Sequence, residues 1–394
     1  MINYDDKINK NVLDLPKSGI RKFFDIANTL DDCISLGVGE PDFVTPWEIR
    51  NSAIKAMQAG RTQYTSNAGL LSLRQEIARY LDVRYSLQYN PDSEIIVTIG
   101  ASEAIDLSMR TLVSAGDEVL IPSPSYVSYE PTVILSGGVP KILKTSETNQ
   151  FKLTAKILED AITPKTKVLI LPYPNNPTGA IMTREELCEI VPVIVKHDLM
   201  VISDEIYAEL TYGDVRHTSV CEIDGMKERT ILISGFSKSF AMTGWRLGYL
   251  CAPYQITQQI YKIHQYTIMC APTFSQIAGE TALREGLHDG FAIVEGMKKE
   301  YDSRRKYLFR QFNDMGLSCF EPKGAFYVFP CVKSTGLSGE EFAERLLKEK
   351  HVAVVPGSAF GESGKDFIRC SYATSFTDLK TAVRKIREFL SSLK

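Results

Sequence analysis

Between residues 48 and 285 the chain alternates two hydrophobic rhythms. Short runs, nearly all apolar and rich in Val and Ile, occur at 95–99, 118–121, 140–143, 168–171, 200–203 and 230–234. Longer stretches of helical character lie at 48–59, 70–85, 102–113 and 184–197. A strand that is apolar at every position has both faces buried, and the strands of a parallel sheet covered by helices read this way. The expected fold class is therefore α/β, a mostly parallel sheet with helices on both faces. Beyond residue 290 the rhythm changes. A long charged helical stretch at 293–315 is followed by strand patterns at 326–329, 352–355 and 367–372, a helical pattern at 339–348 and a last helix ending near Lys394. This part reads as a smaller α+β domain. The first forty or so residues have no strand pattern of their own and are expected to pack with it. The expected division is an N-terminal segment at 1–45, a large domain at 46–290 and a small domain at 291–394.

Composition narrows the function classes. The chain has 394 residues, 44% hydrophobic and 24% charged, with a formal charge of -3. A nucleic-acid or membrane-surface partner wants a basic face, so neither is expected. No apolar run approaches the roughly 18–20 residues of a membrane span, and the polar N-terminus lacks the apolar core of a signal peptide. The eight cysteines are scattered without a CxxC pair, which fits reduced thiols. A soluble, cytoplasmic protein is expected. The five histidines stand far apart in sequence, so no metal site is expected.

Candidate chemistry collects at the ends of the strands. The run at 95–99 leads into Gly100-Ala101-Ser102, that at 118–121 into a proline-rich turn with Tyr126, and that at 168–171 into Pro172 through Gly179 with Asn176. The run at 200–203 leads into Asp204 and Tyr207, and that at 230–234 into Ser237 and Lys238. In an open α/β sheet ligands bind outside the carboxyl ends of the strands. Gly100, Ala101 and Ser102 open a helix, whose free N–H groups and dipole can hold a phosphate. Arg246 can add a bidentate clamp. A lysine near a phosphate clamp and an arginine gives up its proton readily and becomes a nucleophile toward an aldehyde. Asp204 supplies a buried anion that a protonated pyridine nitrogen would pair. Tyr126 offers a face for stacking, and Asn176 and Tyr207 can bond a ring oxygen. Singly, Lys238 could be a surface lysine, Asp204 a helix cap and Arg369 a structural ion pair. At successive strand ends the bland readings lose their force together.

These residues resemble a known family. The stretch from Ser234 to Tyr249 is similar to the lysine-attachment signature of class I/II, fold type I, pyridoxal-phosphate-dependent aminotransferases, in the aspartate/aromatic branch. Asn175-Asn176-Pro177-Thr178-Gly179 resembles the family's asparagine loop, and Ser203 through Tyr207 its aspartate–tyrosine strand end. The resemblance implies an aminotransferase that moves an amino group between an L-amino acid and a 2-oxo acid through pyridoxal 5'-phosphate held on Lys238 as a Schiff base. It implies that Lys238 acts as base and acid, that Arg369 pairs with the substrate carboxylate, and that Gly39 and Asn176 assist. It also implies a homodimer in which Tyr64 of the partner subunit reaches the phosphate. Two positions depart from the family pattern. Gly235 stands where many relatives have a serine on the phosphate, so Ser237 or Ser234 must serve. Ser102 stands where some aspartate-specific members have a lysine. Ile20, Phe23 and Phe24 are expected to wall an apolar or aromatic side-chain pocket. The rival readings are a β-C–S lyase on the same scaffold and a non-catalytic amino-acid-sensing protein.

Overall fold

The computed structural model describes residues 2–15 and 32–393, so the expectation for Ile20, Phe23 and Phe24 lies outside the described residues. The strands, in chain order, are β1 Ile34–Ser35, β2 Ile95–Thr98, β3 Glu118–Ser123, β4 Val139–Lys144, β5 Thr166–Leu171 and β6 Met200–Asp204. They continue with β7 Thr230–Gly235, β8 Gly248–Cys251, β9 Tyr327–Val328, β10 Val352–Ala353, β11 Val355–Pro356 and β12 Ile368–Ser371.

Seven of them form one sheet in the order β2-β8-β7-β6-β5-β3-β4. Every neighbouring pair is parallel except the two that involve β8. Alternate residues of these strands enter separate apolar clusters. Leu169, Leu171, Val201 and Leu232 join one, while Val168, Ile170, Ile202, Ile231 and Ile233 join the other. Both faces are thus dry, as the unbroken apolar runs require. The α/β reading holds. The strand β8 was not anticipated: it starts at a glycine and returns antiparallel straight after the lysine segment.

A third apolar cluster surrounds the short strands near the C-terminus and includes Tyr301, Phe312, Phe326, Phe342 and Phe389. The helix Ala292–Asp314 spans two clusters, with Val294 in the first and Met297 onward in the third. Strands β11, β12 and β9 pair antiparallel in that order. The run expected at 352–355 is two strands rather than one. The segment before residue 45 does contain a strand, contrary to expectation. Ile34 and Ser35 pair in parallel with Val352 and Ala353. A two-residue ladder leaves no period-2 signal, and only its distant partner strand fixes it. Among the described residues no helix is long and apolar enough to cross a membrane, and no cluster of His, Cys, Asp or Glu could hold a metal ion.

Candidate active site

A cavity of about 320 Å³ opens at the carboxyl ends of the large sheet, and its wall includes Ser102, Tyr126, Asn176, Asp204, Lys238 and Arg369. Gly39, Ala101, Tyr207, Ser237 and Arg246 line it as well. All of the predicted residues except Gly100 and Tyr64 therefore meet at one wall, and Gly100 lies directly behind it.

Lys238 follows β7 and is half-buried in the cavity wall. Its Nζ donates to the Gly39 carbonyl at 2.7 Å. Burial lowers its pKa to about 8, with Arg369 and Arg246 pushing the same way against Glu40 and Asp204. Asp204 ends β6 at 6% exposure. It accepts from the Tyr129 hydroxyl at 2.8 Å and from the Ile206 N–H at 3.2 Å. Burial raises its pKa, and those two donors pull it back. A cationic nitrogen opposite would hold it ionised. Tyr207 and Tyr327 share a hydrogen bond of 2.9 Å between hydroxyls. Burial raises both phenols, which keeps their protons on at neutral pH.

Arg369, on β12, is 3% exposed. It donates to Asn176 Oδ1 at 2.9 Å and to the Gly37 carbonyl at 2.5 Å. Its guanidinium lies 4.4 Å from the Tyr327 ring centroid and 4.9 Å from that of Phe360. None of these partners is an anion, and the buried Nε has no partner. A buried arginine held only by neutral groups is prepared for a carboxylate.

The phosphate end is built from backbone. Gly100 has φ +67° and begins the helix Gly100–Leu112. A Cβ at Gly100 would sit 2.8 Å from Arg246 Nη2, and one at Gly248 would sit 2.7 Å from the Ala101 nitrogen. A Cβ at Gly235 would meet Gly248 Cα at 2.9 Å. The glycine that replaces the family's serine thus packs against β8. Of the two serines left open, Ser237 lines the cavity, while Ser234 donates to the Glu205 carbonyl at 3.3 Å. Tyr64 is 80% exposed and far from burial in its own chain.

This donor set fits one group: an anion cradle at a helix start, a half-buried lysine, a buried carboxylate and a carboxylate-seeking arginine around a space for a small ring. Comparison with known proteins gives the same answer. The model for aminotransferase class I and II matches residues 31–386. This chain belongs to the class I and II aminotransferases. It is 52% identical to a putative aminotransferase, YugH, of Bacillus subtilis, over 96% of this chain and 97% of that protein. It is 47% identical to an aspartate aminotransferase of Pyrococcus abyssi over 96% of both. It superposes on an aromatic aminotransferase from Pyrococcus horikoshii with a TM-score of 0.90 at 45% identity, covering 94% of this chain and 99% of the other. As a member of this family the aminotransferase is a transaminase, and its cofactor is pyridoxal 5'-phosphate.

Sequence reasoning missed two residues in the wall. Tyr129 bonds Asp204 from the short helix Tyr129–Leu135, and Tyr327 bonds Tyr207 from β9. Both lie far in sequence from their partners. The one available signal was Tyr327 inside the otherwise apolar run Ala325-Phe326-Tyr327-Val328-Phe329; Tyr129, between Ser128 and Glu130, gave none.

Proposed function

We propose that this transaminase works with Lys238 as attachment point and proton carrier, Asp204 as the anion under the ring nitrogen and Arg369 as the seat of the substrate carboxylate. When bound, pyridoxal 5'-phosphate supplies an aldehyde carbon for the amino group and a cationic ring that draws electrons from the substrate Cα. The protein does the rest. Gly100, Ala101 and Ser102 present the helix N-terminus to the phosphate, with Ser237 and Arg246 beside them. Tyr126, in the cavity wall, would cover one face of the ring. Tyr207 and Asn176 would donate to the ring oxygen, with Tyr327 orienting Tyr207 through the bond between their hydroxyls. Arg369, held by Asn176, Gly37 and the Tyr327 face, fixes the amino acid by its carboxylate, with the Gly39 segment closing that end. Lys238, with its proton affinity reduced by burial, would take and hold the proton of the substrate Cα. The guanidinium of Arg369, buried among neutral partners with no anion beside it, carries the reading, because it asks for a substrate carboxylate in the cavity that Lys238 also lines.

The exposed Tyr64 supports a homodimer, in which Tyr64 of the partner subunit completes each phosphate site. The reading includes a large domain at 46–290 and a small domain at 291–394 with the N-terminal segment, and a role in amino acid biosynthesis in the cytoplasm. For the donor, we favour an aromatic or apolar L-amino acid. Among the described residues lining the cavity, the cations are Lys238, Arg246 and Arg369, each already assigned, and Ser102 offers no charge to a distal carboxylate. The aromatic aminotransferase neighbour is consistent with this donor class.

One experiment tests the reaction. The loaded protein is mixed with single amino acids and no 2-oxo acid, and absorbance and ammonia are followed. A transaminase converts its cofactor once from aldehyde to amine and stops, fastest with aromatic donors. Continuous ammonia release would point instead to a β-C–S lyase. An intact lysine-bound cofactor with no conversion by any donor would point to an amino-acid sensor.

A further inference from the structure

His264 has no exposed surface, and both its ring nitrogens face acceptors. Nδ1 lies 2.8 Å from Glu103 Oε1, and Nε2 lies 2.9 Å from the Asn67 carbonyl. A carbonyl can only accept, so Nε2 must carry a proton. An ionised carboxylate can only accept, so Nδ1 must carry one too, unless Glu103 holds it. Either way the pair keeps two protons, one on each bond. A neutral ring beside an ionised Glu103 would set a lone pair against an oxygen.

The two partners of this ring are not ordinary core. Glu103 stands in the first turn of the helix Gly100–Leu112, and its Oε2 accepts the Ile99 N–H at 2.5 Å. It therefore fastens the turn at Gly100. Asn67 belongs to the loop at 64–69 that displays Tyr64. The same loop is tied a second time by buried Gln276, which donates to Thr65 Oγ1 at 2.9 Å and accepts from the Leu70 N–H at 2.7 Å.

We propose that His264 is a positioning residue for the cofactor phosphate. With Glu103 it clamps the Gly100 turn, the phosphate seat of one subunit, to the loop whose Tyr64 serves the seat of the partner subunit. The inference rests on the site and dimer reading given above. One hydrogen-bonded pair then sets both halves of phosphate recognition. It also makes the two sites of a dimer share a rigid link, His264 in each chain.

The test uses the full-length protein stripped of cofactor, with dissociation constants measured by equilibrium dialysis for pyridoxal phosphate and for pyridoxal, which lacks the phosphate. His264→Gln should weaken pyridoxal phosphate about tenfold, the equivalent of ~1.4 kcal/mol, and leave pyridoxal unchanged. Glu103→Ala should behave alike. Glu103→Gln should restore wild-type affinity, because its amide accepts from Ile99 and donates to a neutral ring that still serves Asn67. Combined with Tyr64→Phe, His264→Gln should cost less than the two changes do separately, since both act on one contact. A purely structural histidine would lower affinity for both ligands equally. That result, or a Glu103→Gln as weak as Glu103→Ala, overturns the proposal, and the Glu103 pair decides alone if His264→Gln fails to fold. If wild-type protein held no cofactor on Lys238 after borohydride reduction, the site reading itself would fail first.

Discussion

The end of β6 carries two buried carboxylates in succession, and the two sides of the sheet treat them differently. Asp204 looks into a cavity of about 320 Å³. It has a phenol and one backbone N–H for company. Glu205, at 3% exposure, borders a space of only about 10 Å³, room for at most one water. It accepts from Ser203 at 2.8 Å, from Ser219 at 2.7 Å and from His217 at 2.8 Å. One anion is closed off by its own chain. The other is left with acceptor capacity facing open volume. Burial and charge alone do not separate a chemical group from a structural one; what remains unfilled around it does.

The contrast can be broken most sharply at Asp204. Asp204→Asn keeps the shape and removes the anion. Turnover should fall by about 10³-fold or more, ~4 kcal/mol at ~1.36 kcal/mol per tenfold, while the melting temperature moves little. Steady-state kinetics and calorimetry on one preparation check both halves. Glu205→Ala should do the reverse. It strands His217 and two hydroxyls, so stability should drop by about 3–5 kcal/mol in a urea titration, with turnover per folded molecule reduced less than about tenfold. Equal catalytic losses in the two variants would erase the distinction.

Arg369→Lys extends the comparison to the cation across the cavity. A lysine keeps the charge but loses the planar fork and its seat on the Tyr327 ring. KM for the amino donor should rise about 10- to 100-fold, from ~1.5–3 kcal/mol of lost charge-assisted bonding, and kcat should change less. The smallest effect concerns Lys238. Capture of cofactor by stripped protein should accelerate as pH rises through about 8 and then level off. An ordinary lysine would keep accelerating toward 10.5, its usual value. The native chain binds fewer protons than the unfolded one between those limits, so stripped protein should also gain stability as pH rises across that window. Stopped-flow absorbance against pH reads the first effect, and denaturant midpoints read the second.

Much of this is legible in the amino-acid sequence. The strands of the large sheet announce themselves because both faces are dry, and polar residues that follow them must point to the same edge. Lys238, Asp204 and Asn176 are placed that way. Features held together by distant segments were not legible. The pair Ile34–Ser35 is a strand only because β10 lies beside it. Tyr129 and Tyr327 join the wall through bonds to residues 75 and 120 positions away. His264 reads as a polar residue on a helix face until its two acceptors, 161 and 197 positions distant, are seen. That Ser234 bonds the Glu205 carbonyl while Ser237 lines the cavity is likewise something no periodicity encodes.

Gly100, Gly235 and Gly248 press three backbones together with no room for a methyl group between them. Nothing compressible separates the anion seat, the strand that bears the reactive amine and the returning strand. Their spacing is therefore set by van der Waals contact between backbone atoms, and side-chain rotamers have little part in it. Sequence drift elsewhere in the molecule can reshape the mouth of the cavity for another amino acid while this interval between seat and amine stays where it is.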